Sequence, residues 1–225
     1  MRKIIFAVIA MMVGLTAMAQ KDVKVRFGVE GGFNMTKWNG ALVPNYTKEM
    51  DEIVSDFSNS GMKPGFHVGG LADLVIQDKW SIQPELLFTM EGSKIAINDS
   101  IGEKKVSALY IRIPILVYYN IMNVGPGQLS PGLGFFFAGG VGGSVEDGGD
   151  TFGDDGILDE FDWGLNVKVA YEMQKMVSGL FASVGFSQGF STSKSTGISV
   201  SVGYKFQYAK FLKRAYNTGL LEYNP

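Results

Sequence analysis

The sequence predicts an all-β protein: an eight-stranded antiparallel up-and-down transmembrane β-barrel that follows a cleaved signal peptide. Three observations predict this fold. The chain opens with an export signal, and its apolar and polar residues then alternate with the period of a β-strand in several segments. The connections between those segments are long on one side and short on the other, as they are in outer-membrane barrels.

The first residues have the three-part layout of a secretory signal peptide. Arg2 and Lys3 form a basic head, residues 4–16 are apolar, and residues 17–19 form an A-x-A cleavage site. The apolar run is shorter than the roughly 20 residues that a spanning helix needs. We therefore divide the chain into a signal peptide at 1–19, a barrel domain at 20–206 and a periplasmic C-terminal tail at 207–225.

Composition removes several classes of function. The sequence has no cysteine, which excludes disulfides, thiolate metal sites and a cysteine nucleophile. The formal net charge is -2, and no Lys/Arg cluster of the nucleic-acid-binding type occurs, so nucleic acid is not an expected partner. The 30 glycines and 16 phenylalanines favour sheet over helix.

Strand-period alternation recurs along the chain. In the first segment, Phe27 and Val29 alternate with Arg26 and Glu30. Each segment has about ten residues, the length that crosses a bilayer at a tilt of about 45°. The predicted strands lie at 23–34, 66–76, 80–91, 109–120, 133–141, 163–173, 179–190 and 198–206.

The connections indicate which way the barrel faces. Tight turns are predicted at 77–79 and 174–178, and a link of medium length at 121–131. With an even number of strands, both chain ends lie on the short-turn side, which faces the periplasm in such barrels. The predicted location is the outer membrane, with the surrounding lipid as a partner. The long connections are predicted at 35–62, 92–107 and 142–161, with a shorter one at 191–196.

A soluble β-sandwich is the alternative architecture, because its strands also alternate. The aromatic residues favour the barrel, since they stand near segment ends, where the interfacial girdles of a barrel lie. These residues are Phe33, Phe66, Trp80, Tyr119, Trp163, Phe190, Tyr204 and Phe206.

The polar faces of the segments predict a charged interior. An eight-stranded barrel is just wide enough for its side chains to fill it, and unpaired buried charges are costly. Opposite charges inside are therefore expected to pair and to plug the barrel, while a narrow ion path with charged gates is the alternative. The candidate lumen charge network is Lys24, Arg26, Glu30, Asp73, Glu85, Glu91, Arg112, Lys168, Glu172 and Lys205.

Two predicted loops carry candidate sites. In residues 47–57, apolar side chains recur with helical spacing and predict a short amphipathic helix that either packs on the barrel rim or binds a partner. Its apolar face is Met50, Ile53, Val54 and Phe57. The loop before the sixth strand is acidic, and its glycine-rich carboxylates suit a hard divalent cation, although the EF-hand spacing fails and a solvated acidic loop is the favoured interpretation. The candidate ligands are Asp150, Asp154, Asp155 and Asp159.

No catalytic residues or cofactor are predicted. His67 is the single histidine, which rules out a His-rich metal site. No G-x-S-x-G motif indicates a nucleophile for it to activate, so an enzyme is not expected and His67 is interpreted as a hydrogen-bonding residue of the interior. The tail at 207–225 is basic and aromatic; it is either a periplasmic tether to another protein or a disordered terminus.

Several motifs together resemble the PorT-like outer-membrane β-barrel proteins of Gram-negative bacteria. The most specific are Gln83-Pro84-Glu85-Leu86 and Ile113-Pro114-Ile115-Leu116, in that order, with similar opening, second and last strands at 27–34, 64–70 and 198–206. The resemblance implies an outer-membrane barrel and offers no catalytic residues. The founding member belongs to the type IX secretion and gliding apparatus.

The expected function is therefore non-enzymatic, with a structural or partner-binding role in the cell envelope. Two alternatives stay open: an accessory of protein secretion, and a barrel that binds or transports a small ligand. Expected partners beyond lipid are other envelope or secretion proteins, and the barrel is expected to be monomeric.

Overall fold

The computed structural model describes residues 23–39, 61–96, 103–145, 152, 158, 160–175, 177–191 and 194–206. In this part of the chain, no helix is long and apolar enough to cross a bilayer. The predicted signal peptide, the 47–57 helix and the tail at 207–225 lie outside the described residues.

Eight long strands and one short strand make up the described structure. The short strand, β5, has three residues. In chain order the strands are β1 Val23–Trp38, β2 Gly61–Ile76, β3 Trp80–Ala96, β4 Glu103–Tyr119, β5 Met122–Val124, β6 Gly127–Val145, β7 Phe161–Met173, β8 Leu180–Gly189 and β9 Ser195–Phe206.

The eight long strands close into an antiparallel barrel, which confirms the predicted fold class. Each long strand pairs with the long strands that precede and follow it in the chain, β4 with β6 past the short β5. Because β1 also pairs with β9, no long strand is left with a free edge. One rim of the barrel, which we call the terminal rim, carries the start of β1 and the end of β9. The connections at 77–79, 120–126 and 174–179 lie on the same rim. The opposite rim, which carries the remaining connections, is called the loop rim.

Alternation along the strands separates an apolar outer surface from a polar interior. Phe33 on β1 is 78% exposed, as is expected of a side chain that faces lipid, whereas its neighbour Asn34 is buried. The same pattern runs through β7 and β8, where buried and exposed residues alternate at nearly every position.

Most strands are longer than the sequence predicted. They have 10 to 19 residues, because backbone pairing continues past the apolar band toward the loop rim. The connection predicted at 92–107 therefore shortens to 97–102, and the predicted link at 121–131 contains β5, which forms a small hairpin with β6. Apolar and polar residues alternate only where a strand faces lipid on one side. The extensions beyond the lipid lack this alternation, so the sequence did not predict them.

Where β2 is irregular, side chains of β1 form hydrogen bonds with the backbone of β3. The β2–β3 register shifts between residues 62 and 67. There, Asn34 Nδ2 donates to Met90 O at 3.0 Å, and Thr36 Oγ1 both donates to Gly92 O at 2.9 Å and accepts from Gly92 N at 2.8 Å. These bonds satisfy backbone groups of β3 that would otherwise be buried without a partner.

Candidate functional site

The middle of the interior is occupied by Glu30, Glu85 and Lys168, which we call the central ion cluster. Lys168 Nζ on β7 lies 3.0 Å from Glu30 Oε1 on β1 and 2.8 Å from Glu85 Oε2 on β3. The three side chains are 4%, 0% and 0% exposed for Lys168, Glu30 and Glu85. Gln83 Nε2 donates a further hydrogen bond of 2.7 Å to Glu85 Oε1. One ammonium group therefore ties together three strands across the lumen.

A second group lies toward the terminal rim and is called the lower ion cluster: Arg26, Asp73, Glu172 and Lys205. Arg26 Nη2 lies 2.5 Å from Asp73 Oδ2, and Arg26 Nη1 lies 2.5 Å from Glu172 Oε1. Lys205 Nζ reaches the same two carboxylates at 3.1 and 3.5 Å. Two cations and two anions balance, so this cluster carries no net formal charge.

The loop-rim side of the interior is partly apolar. Arg112 Nη1 lies 3.1 Å from Glu91 Oε1, and the guanidinium carbon stands 4.0 Å from the centroid of the Phe136 ring. Phe136 belongs to a buried cluster that fills this side of the barrel, with Trp38, Val106, Ala108, Tyr110, Ala138 and Leu158. The sequence analysis missed this cluster because its aromatic residues lie on the inward faces of their strands, and these faces were expected to be polar.

Lys24 does not belong to the interior network, so its predicted placement was wrong. Its Nζ pairs with Asp78 Oδ1 at 2.7 Å, and both side chains are 72% exposed. Lys24 is two residues before Arg26 and therefore lies on the same, inward face of β1. It stands at the start of the strand, on the terminal rim, where neighbouring strands no longer surround the side chain. The structure brings the other nine predicted residues into the two clusters and the Arg112–Glu91 pair.

His67 forms a hydrogen bond with a serine that sequence reasoning did not single out. The His67 Nε2 to Ser201 Oγ distance is 2.8 Å, and both residues are buried. Ser201 is one of several small polar residues that alternate along β9, and this inward alternation was its only signal in the sequence.

A small cavity lies in the interior beside the central ion cluster. Its volume is about 30 Å³, and its lining includes Asn34, His67, Thr89, Arg112 and Asn166. A cavity of this size holds roughly two or three water molecules. This cavity therefore has room for water molecules or a small ion and not for a larger solute.

The comparison with protein families decides the identity. Residues 18–195 match the family described as outer membrane protein beta-barrel domain. The chain belongs to this family. As an outer membrane protein beta-barrel domain, it resides in the outer membrane of Gram-negative bacteria, which confirms the predicted location.

Solved structures similar to this barrel domain include three outer-membrane proteins. OprG from Pseudomonas aeruginosa has 13% identity and a TM-score of 0.49, and the match covers 83% of this chain and 97% of that one. Neisserial surface protein A has 13% identity and a TM-score of 0.44, covering 84% and 100%. Ail of Yersinia pestis, in complex with the heparin analogue sucrose octasulfate, has 10% identity and a TM-score of 0.43, covering 83% and 100%. No curated protein matches the sequence.

The other candidate sites of the barrel lie outside the described residues. These are the partner-binding face, Met50, Ile53, Val54 and Phe57, and the acidic loop residues, Asp150, Asp154, Asp155 and Asp159. Among the residues that the structure does describe, no group of three or more His, Cys, Asp or Glu side chains is arranged to hold a metal ion.

Proposed function

We propose that this protein is a non-enzymatic, non-conducting outer-membrane barrel that contacts other envelope proteins through its rims. The observation that carries the proposal is the set of ion pairs that cross the interior in the central and lower ion clusters. Together they link β1, β2 and β3 to β7 and β9 by direct ion pairs. We therefore expect a partner protein to bind at the rims of the barrel and not in its interior.

Burial of the one Ser–His pair supports a non-enzymatic role. Ser201 is 1% exposed, and its hydroxyl group forms a hydrogen bond with His67 in the barrel interior. An acyl or phosphoryl substrate needs to approach both the serine and a stabilising group for the transition state. The neighbouring cavity, at about 30 Å³, is far smaller than such a substrate. We interpret the pair as a structural hydrogen bond.

Docking to secretion proteins is the narrower form of this proposal. It is supported by the PorT-like motifs at residues 83–86 and 113–116 and by the amphipathic pattern at 47–57. Transport of a small ligand has less support, because the ion pairs of Lys168 with Glu30 and Glu85 cross the middle of the interior.

Crosslinking in intact cells tests the proposal. The tagged barrel is crosslinked, extracted from outer membranes in mild detergent and purified, and its partners are identified by mass spectrometry. One variant replaces the apolar face of the 47–57 segment with serine. A matched control replaces polar residues of the same segment with serine. The two sets are Met50, Ile53, Val54 and Phe57 for the variant, and Lys48, Glu49, Glu52 and Asp56 for the control.

Reproducible recovery of an envelope protein with the wild type and the control, and its loss from the apolar-face variant, would support docking through this segment. If that protein belongs to a secretion apparatus, the narrower proposal is supported as well. Recovery of the barrel alone in all samples would overturn the docking role.

A further inference from the structure

The central ion cluster contains two carboxyl groups and one ammonium group. Lys168 Nζ lies 3.0 and 3.4 Å from the two carboxyl oxygens of Glu30, and 2.9 and 2.8 Å from those of Glu85. With both carboxyl groups ionised, one negative charge of the cluster would have no counter-ion. The lower ion cluster differs in this respect, because its two cations match its two anions.

The two carboxyl groups of the central ion cluster are buried and close to each other. Both side chains are 0% exposed, so solvent does not screen their charges. Because both groups contact the same nitrogen atom, at 3.0 and 2.8 Å, two of their oxygens lie no farther apart than the sum of these distances. Ionising two carboxyl groups in such a site is costly, and catalytic carboxyl pairs in other proteins retain one proton for this reason.

The other cations of the interior have partners of their own. Arg112 Nη1 on β4 lies 3.1 Å from Glu91 Oε1 on β3. Arg26 on β1 and Lys205 on β9 contact Asp73 on β2 within the balanced lower ion cluster. Strands β6 and β8 carry no charged residue. Among the described residues, no cation other than that of the central ion cluster contacts its two carboxyl groups.

Two titratable side chains lie near the cluster, and neither balances its charge. His67 on β2 forms a hydrogen bond of 2.8 Å with Ser201 Oγ and, in the part of the chain that the structure describes, no ion pair with the cluster. Tyr118 on β4 is buried, and a protonated tyrosine is neutral. A metal cation in the neighbouring cavity would lie beside two cationic side chains, because Arg112 and Lys168 both line it. A proton on a carboxyl group avoids this repulsion.

We propose that the central ion cluster binds one proton, held by the carboxyl pair of Glu30 and Glu85, and is therefore neutral. The proton belongs to the pair and not to one residue, because both carboxyl groups contact the same ammonium group. At alkaline pH, hydroxide takes this proton and becomes water, which leaves two carboxylates with one counter-ion. The cluster thus makes the interior of the barrel sensitive to alkaline pH, and this property does not depend on the docking role.

Infrared spectroscopy tests this site, because the C=O stretch of a protonated carboxyl group is separate from the bands of carboxylates. The full-length barrel is refolded in liposomes at neutral pH, and its folding is checked by gel mobility without boiling. Isotopic labelling of glutamate with carbon-13 distinguishes its band from those of aspartate and lipid esters. The test variants are Glu30→Gln and Glu85→Gln, each of which leaves Lys168 with one carboxylate and hence a balanced cluster. The matched control is Glu172→Gln in the lower ion cluster.

We expect the wild type to show a protonated-glutamate band that decreases reversibly at alkaline pH. Glu30→Gln and Glu85→Gln should each lose this band, and Glu172→Gln should keep it; if one of the two test variants does not fold, the other suffices. A wild type without the band would overturn the proposal, and this is the result that a proton on His67 or a bound metal cation would give. A band that survives in the folded test variants, or that Glu172→Gln removes equally, would also overturn it.

Discussion

Lys168 Nζ on β7 lies 2.8 Å from Glu85 Oε2 on β3. These strands are not neighbours in the sheet, so the ion pair spans the lumen and does not merely join adjacent strands. Because the same ammonium also binds Glu30 on β1, a single cation is the counter-ion of two buried carboxylates in the middle of the barrel. We therefore expect both the stability and the closure of the barrel to depend on this residue.

Replacing Lys168 with methionine should strongly destabilise the barrel. The substitution keeps the volume but leaves Glu30 and Glu85 buried without their counter-ion, and breaking a buried pair in this way costs about 3–5 kcal/mol. The free energy of unfolding is measured by urea titration in liposomes, with the folded fraction read from gel mobility without boiling. The further substitutions Glu30→Gln and Glu85→Gln in the Lys168→Met background should restore most of the loss, because no charge then remains in the cluster.

Lys24→Met is the matched control for this series. Lys24 pairs with Asp78 at the exposed terminal rim, where ion pairs contribute at most about 1 kcal/mol. A loss as large as that of Lys168→Met would show that the effect of removing a lysine is general and not due to burial of the central ion cluster.

The Ser201–His67 hydrogen bond should matter for stability and not for chemistry. Ser201→Ala leaves a buried imidazole nitrogen without its partner, which costs about 1–3 kcal/mol in the free energy of unfolding. A fluorophosphonate probe, which labels activated serines, should not label the folded wild type. Stoichiometric labelling that Ser201→Ala abolishes would mean that the pair is a nucleophile and its base, and that the non-enzymatic assignment fails.

Close packing against Tyr118 requires a glycine at position 132. A Cβ at Gly132 would lie 2.5 Å from Tyr118 Cδ1, and Tyr118 is buried. Gly132→Ala should therefore lower the free energy of unfolding by about 1–3 kcal/mol. At Gly142 on the same strand, an added Cβ meets no atom within 4 Å, so Gly142→Ala is the control. Equal effects of the two substitutions would contradict the packing argument.

The fold was predictable because its main signal is local. Lipid on one side and a polar interior on the other impose a period of two on every strand, and a stretch such as 163–173 shows this period without knowledge of any other strand. The strand ends near the loop rim carry no such signal. At residues 62–67, pairing depends on side-chain bonds from Asn34 and Thr36 to a strand distant in the sequence.

The composition of the interior was predictable, whereas its pairing was not. Parity alone gives the inward position of residues such as Glu30 and Lys168. Which cation meets which anion depends on the tilt and stagger of strands that are far apart in sequence, for example the 138 residues between Lys168 and Glu30. Parity also fails where the wall ends, which is why Lys24 is exposed while Arg26, two residues later, is in the lower ion cluster.

The most direct test of an occluded lumen is single-channel recording in planar lipid bilayers. The protein is first shown to be folded by its altered mobility in an unboiled gel, and the same preparation is then inserted into the bilayer. The ion pairs that Lys168 makes with Glu30 and Glu85 predict no stable conductance steps beyond those of a protein-free bilayer. Stable, reproducible steps from the folded wild type, absent after heat unfolding, would contradict the occluded barrel.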